Sequence, residues 1–244
     1  MKKLLIVGIV LLVSIAAYAG QETHWSYSGI EGPDHWGKLD PEFTTCSEGK
    51  NQSPINLASF IESDLKPIGI HYEAGGDEII NNGHSVQVNF TAGSTISVDG
   101  HKFELKQYHF HAPSENHING KSYPMEAHLV HADANGNLAV IAVMFMEGEA
   151  NEVLANAWSH MPGKAGGKQS LASVVSAEGI LPFNKDYYRF NGSLTTPPCS
   201  EGVWWLVMKE PVTASKNQIK KFVQVMQHPN NRPIQPLNAR PVLK

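Results

Sequence analysis

The chain has 244 residues, of which 41% are hydrophobic and 17% are charged, and its formal net charge is −4. This is the composition of an ordinary globular protein. A weakly negative charge gives no reason to expect nucleic acid or an anionic membrane as a partner. The length allows one large domain or two small ones.

The first twenty residues differ from the rest of the chain. Lys2 and Lys3 precede an apolar run over residues 4–16, and Ala17-Tyr18-Ala19, which has the A-x-A pattern of a cleavage site, follows it. This pattern predicts a signal peptide over residues 1–19, cleaved after Ala19, and therefore a periplasmic or secreted protein. The run is too short to favour a stable membrane anchor. An uncleaved anchor is the alternative interpretation.

Two cysteines occur, Cys46 and Cys199. In an exported protein an even number of cysteines favours a disulfide. Such a bond would tie an early segment to a late one. Two free buried thiols are the alternative.

Residues 20–51 are rich in Trp, Gly, Pro and His without a clear period, which predicts an irregular segment. Short β-type runs follow, with turn-forming dipeptides such as Asp99-Gly100 and Asn135-Gly136 between them. The predicted strands are 68–72, 85–90, 95–98, 103–111, 126–131 and 138–145. This spacing is typical of a β-rich single domain, which we place at residues 20–244.

Two segments have helical character, residues 150–158 and 215–226. The second begins with Ser215 and Gln218 at the spacing of a capping box. Its apolar stripe is expected to pack on the core rather than to bind a partner. Residues 164–170 are polar and rich in glycine, which predicts a surface loop.

The segment 105–111 carries the most informative chemical pattern. His109 and His111 alternate along a predicted strand, so both imidazoles point to one face. His128, on a neighbouring predicted strand, offers a third imidazole, whereas His131 points the other way. Three neutral imidazoles and a water form an open tetrahedral site that suits Zn²⁺. An exposed cross-strand pair of histidines is the alternative.

Polar residues on the same face of the two predicted strands as the histidines support the interpretation as a metal site. Gln107 lies two residues before His109, and Glu126 lies two residues before His128. A metal-bound histidine needs an acceptor for its other ring N–H, which these side chains can supply. A structural zinc would need a fourth protein ligand, and none is evident near these strands.

Six short sequence motifs occur in a fixed order along the chain, and together they are similar to one known family. They are Gln52-Ser53-Pro54-Ile55-Asn56, Asn81-Asn82-Gly83-His84, Gln107-Tyr108-His109-Phe110-His111, Glu126-Ala127-His128-Leu129-Val130-His131, Ser193-Leu194-Thr195-Thr196-Pro197-Pro198 and Asn231-Arg232-Pro233-Ile234-Gln235-Pro236. Together they resemble the α-class carbonic anhydrases of the exported bacterial type, over essentially all of residues 20–244. The resemblance implies a predominantly β (α+β) fold, with a central, mostly antiparallel, twisted sheet of about ten strands and surface helices. It also implies that Cys46 and Cys199 are bonded beside the metal.

The resemblance assigns catalytic roles to individual residues. His109, His111 and His128 match the ligands of one zinc ion per chain. Thr195 matches the threonine that orients zinc-bound hydroxide, and Glu115 matches the carboxylate that takes the threonine proton. The implied reaction is the reversible hydration of carbon dioxide to bicarbonate and a proton. An acatalytic carbonic-anhydrase-like binding module is the alternative, which the loss of a ligand histidine would have favoured.

The resemblance also implies residues that bind substrate and move protons. Those that match the CO₂ pocket and the bicarbonate-binding position are Val130, Val140, Leu194, Val203, Trp205 and Thr196. His84 matches the proton shuttle, a task that suits an imidazole with a pKa of about 6.5. Tyr27, Asn82 and Gln87 match the lining of its water path. Sulfonamide-type and anion inhibitors, and a homodimer, are expected from the family.

Overall fold

The computed structural model describes residues 23–73 and 75–244, and most of its strands form one eleven-stranded sheet. The strands are β1 (Asn56–Leu57), β2 (Gly69–His71), β3 (Gly76–Asn81), β4 (Val86–Phe90), β5 (Thr95–Val98), β6 (His101–His111), β7 (His117–Ile118), β8 (Met125–Ala132), β9 (Leu138–Glu147), β10 (Lys168–Val175), β11 (Tyr187–Ser193), β12 (Glu201–Met208) and β13 (Val212–Ala214). The predicted signal peptide, residues 1–19, lies outside the described residues.

The large sheet has the strand order β10-β3-β4-β6-β8-β9-β12-β11. Strand β5 joins β2 to β6, β13 pairs with β9, and β1 and β7 form a separate two-stranded sheet. Within the described part of the large sheet, pairing is antiparallel except where β9 meets β12 and β13. The expected mostly antiparallel, β-rich fold is therefore confirmed.

Helices are few and lie outside the sheet. They are α1 (Trp36–Leu39), α2 (Thr45–Glu48), α3 (Glu152–Ser159) and α4 (Lys216–Met226), with 3₁₀ turns at Gly29–Glu31, Pro41–Phe43 and Glu178–Ile180. Helix α4 begins at the predicted capping box, in which Ser215 and Gln218 each bond the other's backbone N–H. No helix in the described residues is long and apolar enough to cross a bilayer.

Alternation along the central strands separates the core from the site. Tyr108 and Phe110 on β6 are buried in the larger apolar cluster, which also takes Phe222 of α4. His109 and His111 alternate with these residues along β6, so their side chains face the other side of the sheet. A second apolar cluster, which includes Val140 and Trp205, lies on that side.

One prediction of local structure is wrong in part. The end of the predicted loop 164–170 is the beginning of β10, where Lys168 pairs with Ile80 and Gln169 with Ile79. Strand β10 is at an edge of the sheet, and its residues 168–170 are exposed. Edge strands tolerate exposed polar residues, so composition alone indicates a loop.

Candidate metal centre

Three histidines from two adjacent strands converge on one point. His109 and His111 lie on β6, and His128 lies directly opposite His109 on β8. One ring nitrogen from each can be chosen so that all three lie within 4.8 Å of one another. His111 and His128 are each only 1% exposed. This arrangement allows three imidazoles to share a single ion.

Two of these imidazoles are oriented by side chains two residues earlier on the same strand. His109 donates through Nδ1 to Oε1 of Gln107 at 2.9 Å. His128 donates through Nε2 to Oε1 of Glu126 at 2.9 Å. Each bond places the proton on the outer nitrogen and leaves a lone pair on the inner one.

The third imidazole has a partner that sequence reasoning missed. His111 donates through Nδ1 to the backbone oxygen of Asn230 at 2.6 Å. The Asn230 side chain is itself fixed, since it accepts from the backbone N–H of Ala112 at 2.9 Å and donates to the oxygen of Phe110 at 2.8 Å. A backbone carbonyl leaves no mark on the sequence. The only sequence signal for Asn230 is that it directly precedes the motif at residues 231–236.

Burial keeps the three imidazoles neutral. It lowers the pKa of His109 and of His128 well below the usual value, and proximity to His111 lowers both further. Burial also lowers the pKa of His111. The inner nitrogen of His111, Nε2, is buried without a hydrogen-bond partner in the described structure. Neutral imidazoles with free lone pairs are the ligands that Zn²⁺ prefers, so these residues fit that metal.

The carboxylate of Glu126 also fixes the segment after β6. Its Oε2 accepts the backbone N–H groups of Glu115 at 2.7 Å and of Asn116 at 2.8 Å. Its Oε1 accepts from the side chain of Asn116 at 2.8 Å. Glu126 is fully buried, so these donors compensate for the loss of water. The same residue therefore orients His128 and positions Glu115.

Glu115 lies between the histidines and Thr195. Its Oε1 accepts the backbone N–H of Arg232 at 2.8 Å, and its Oε2 lies 3.5 Å from Nε2 of His111. Burial raises the pKa of Glu115, whereas hydrogen bonding from Arg232 and Thr195 lowers it. Oε2 of Glu115 is buried without a hydrogen-bond partner in the described residues. The structure thus brings both predicted residues to the metal centre.

The loop that carries Thr195 is braced from two directions. A disulfide joins Cys46 to Cys199, 153 positions apart in sequence. The side chain of Gln52 donates to the oxygen of Cys199 at 3.1 Å. Buried Arg232 donates to Gln52 at 2.9 Å and to the oxygen of Cys46 at 2.8 Å. Sequence reasoning assigned no role to Arg232, although a lone arginine within a proline-rich stretch was a signal.

An apolar wall lies beside the histidines. The five apolar residues predicted to contact CO₂ belong to one cluster: Val130, Val140, Leu194, Val203 and Trp205. The ring of Trp205 meets His128 edge to face at 4.8 Å between centroids. Thr196, beside Thr195, is half-buried. The cluster continues into the core, so only its margin can face the metal centre.

The ring of His84 is held by an aromatic neighbour. Its ring stacks on Trp25, with centroids 3.7 Å apart and planes 9° from parallel. Burial, together with the nearby His24 and His228, lowers the pKa of His84 to about 4. The imidazole is therefore neutral in this position at physiological pH.

The three residues predicted to line the proton path have different surroundings. Oδ1 of Asn82 accepts the backbone N–H of His84 at 2.9 Å, which shapes the turn before β4. Gln87 pairs with His109 across the sheet and donates to Asn89 at 2.6 Å. The hydroxyl of Tyr27 is buried without a partner in the described residues, and burial raises its pKa.

Comparison with known proteins identifies the family. A model of eukaryotic-type carbonic anhydrases matches residues 31–244. A carbonic anhydrase of Pectobacterium carotovorum is 49% identical over 243 residues, which cover 100% of both chains. The solved α-carbonic anhydrase of Thermovibrio ammonificans, in complex with sulfanilamide, is 50% identical at a TM-score of 0.90 and covers 92% of this chain and 100% of its own. Dioscorin complexed with ascorbate is 34% identical at a TM-score of 0.85, over 90% of this chain and 97% of its own.

The chain therefore belongs to the eukaryotic-type, or α, carbonic anhydrase family, whose enzymes hydrate carbon dioxide. The resemblance inferred from the six sequence stretches is confirmed.

Proposed function

We propose that this enzyme catalyses the reversible hydration of carbon dioxide to bicarbonate and a proton at one zinc ion per chain, held by His109, His111 and His128. The observation that carries the proposal is the convergence of their three ring nitrogens within 4.8 Å. Three protein ligands are typical of catalytic zinc sites, whereas structural sites have four. When bound, zinc lowers the pKa of a water molecule and so supplies a nucleophile at neutral pH.

Glu115 and Thr195 orient the attacking group. An ionised carboxylate can only accept hydrogen bonds, so the Thr195 hydroxyl donates its one O–H hydrogen bond to Glu115. The threonine oxygen then offers only lone pairs to a donor on its other side. A nucleophile that donates a hydrogen bond to the Thr195 oxygen is held with its own lone pair directed at the substrate. A bound divalent cation favours the ionised form of Glu115, which burial alone opposes.

The apolar wall accommodates the substrate. Carbon dioxide carries no charge and accepts hydrogen bonds weakly, so the margin formed by Val130, Leu194 and Trp205 binds it without competing polar groups. The product is an anion with hydroxyl and carboxylate oxygens, which Thr196 can bind through a hydrogen bond. Val140 and Val203 support this wall from the buried side.

His84 moves the proton out of the site, along water lined by Tyr27, Asn82 and Gln87. A group of pKa about 7 loses its proton directly to water no faster than about 10³ s⁻¹, because recombination is limited by diffusion. A histidine that accepts the proton removes this limit. When stacked on Trp25, His84 has a pKa of about 4 and accepts uphill. Proton transfer to His84 becomes favourable when its ring leaves Trp25 and is solvated by water, because burial no longer lowers its pKa.

Export and ligand binding complete the proposal. Residues 1–19 act as a cleaved signal, and residues 20–244 form the enzyme domain in the periplasm or outside the cell. The Cys46–Cys199 bond supports this location, because disulfides persist in oxidising compartments. Sulfonamide-type and anion inhibitors bind at the histidine cluster, as the sulfanilamide complex of the Thermovibrio relative suggests. A homodimer is a further proposal, which light scattering of the purified protein tests.

The competing function is a binding module without catalysis. Dioscorin complexed with ascorbate shares the fold. The complete set of three ligand histidines with Thr195 and Glu115 favours the enzyme. Replacing His109 with alanine distinguishes the two, because the variant should lose both zinc and CO₂ hydration. His71→Ala, at an exposed histidine on β2, is the matched control. Retention of most activity in His109→Ala would remove that residue from the metal.

A further inference from the structure

Tyr27 lies next to two imidazoles outside the histidine cluster, those of His84 and His228. Its ring centroid lies 6.5 Å from that of His84 and 6.1 Å from that of His228. Its hydroxyl is buried, and the charge of Glu115 acts on it. Both imidazoles therefore lie beside a residue whose buried hydroxyl is influenced by the charge of Glu115.

The backbone around Asn230 holds both histidines to the site. Asn230 donates from its side chain to the backbone oxygen of His84 at 3.0 Å, while its own backbone oxygen binds His111. His228 lies two residues before Asn230 and two residues after Met226, the last residue of α4. A short segment therefore connects His228 to the residue that orients the His111 imidazole.

His84 alone is a poor acceptor in the position observed. Its ring is stacked on Trp25 and half-buried, and its pKa is about 4. A donor of pKa about 7 then transfers a proton uphill by roughly 3 pH units, a factor of about 10³ in the equilibrium constant. A second acceptor on the same side would carry protons while His84 stays stacked.

His228 has the chemistry for this task. Its side chain is exposed, and Nδ1 donates to the backbone oxygen of Pro229 at 2.9 Å. This bond leaves the lone pair on Nε2. His228 lines an open cavity of about 420 Å³, together with Tyr27 and Asp34. Asp34 is an acidic residue in the lining of the same cavity. His24, which like His228 acts on His84, lies 3.1 Å from the carboxylate of Glu31.

We propose that His228 is a second proton acceptor of this enzyme. A proton that leaves the metal centre passes through water beside Tyr27 or from His84, forms an N–H bond at Nε2 of His228, and is then taken by a buffer base. No electrons are exchanged. The inference rests on the proposed hydration of CO₂.

Kinetics of three variants test the relay. In weak buffer, His228→Gln should lower kcat by about tenfold and leave kcat/KM unchanged, because only the proton-transfer step is slowed. His84→Gln should keep part of its turnover, and the double variant should fall towards about 10³ s⁻¹. Added imidazole should restore each of them. His71→Gln, whose side chain is 72% exposed and pairs with Glu73, is the control.

A titration that does not depend on activity tests the same pair. The titration of His84 can be followed by NMR at the imidazole C–H groups. The pKa of His84 should rise in His228→Gln, because a neighbouring cation is removed. It should not change in His71→Gln. Wild-type kinetics in His228→Gln, together with an unmoved His84 titration, would overturn the relay alone. An unmodified protein that does not hydrate CO₂ would overturn the proposed function and the relay with it.

Discussion

Oε1 of Glu126 lies 2.9 Å from Nε2 of His128, and Oε2 of the same carboxylate accepts the backbone N–H of Glu115 at 2.7 Å. One buried side chain therefore orients a candidate zinc ligand and positions Glu115, the residue proposed to accept a hydrogen bond from Thr195. Both the affinity for metal and the orientation of the nucleophile are therefore expected to depend on Glu126. Replacing Glu126 should consequently affect both.

Glu126→Gln should weaken zinc binding by about 10-fold to 100-fold, the usual effect of removing such a partner. The amide keeps one acceptor oxygen but presents N–H donors where Glu115 and Asn116 also donate. Competition with a fluorescent chelator measures the change. Glu149→Gln, at an exposed residue, is the control. Equal zinc affinity in the two variants would show that Glu126 does not support the ligand.

Thr195→Ala should lower kcat/KM for CO₂ hydration by about 100-fold or more, because the attacking group loses the acceptor that orients it. Thr195→Ser keeps the hydroxyl and should retain most of the activity. Stopped-flow hydration with a pH indicator measures both. Zinc content should be the same in the two variants. If the serine variant were as slow as the alanine variant, the hydroxyl would have no orienting role.

The buried His131 should make the folded state sensitive to acid. Its ring contacts the Tyr72 hydroxyl at 2.8 Å on the face of the sheet opposite the site, and burial lowers its pKa to about 4. The unfolded chain binds this proton more tightly, so the stabilisation is complete above pH 6.5 or so and is lost as the pH falls towards 4. The expected loss at pH 4 is about 3 kcal/mol from this group.

Urea unfolding at pH 7 and at pH 4.5 measures this contribution. His131→Gln should be less stable at pH 7 but should lose less free energy of unfolding on acidification. Tyr72→Phe removes the hydrogen bond and keeps the imidazole, so it should retain the pH dependence. An identical pH dependence in His131→Gln and wild type would assign the acid sensitivity to other groups.

Strand phase explains why part of the centre could be predicted from the sequence. The two-residue spacing of Gln107, His109 and His111 is a local property of β6, so side-chain direction follows from the sequence. The same holds for Glu126 and His128 on β8. Their roles as zinc ligands and supporting acceptors remain predictions.

Long-range contacts explain what could not be predicted. Asn230 and His111 are 119 residues apart, and the contact uses a backbone carbonyl. Arg232 reaches Glu115 across 117 residues. Strands β11 and β12 were also missed. In β11 the two residues 188 and 189 are both half-buried, and in β12 the four residues 205–208 are all buried, so neither strand shows simple alternation.

The disulfide should matter to stability more than to chemistry. Closing a loop of 153 residues lowers the entropy of the unfolded chain, a contribution of about 5 kcal/mol at most. Cys46→Ser/Cys199→Ser should therefore unfold at lower urea concentration, and kcat/KM should fall less than in Thr195→Ala. Wild-type stability in the double variant would show that Gln52 and Arg232 brace the loop sufficiently by themselves.

Zinc titration of chelator-treated protein tests the central claim most directly. CO₂ hydration should be lost with the metal, rise in proportion to added zinc, and reach a plateau at one zinc per chain. Full CO₂ hydration by protein that contains no zinc would contradict the account.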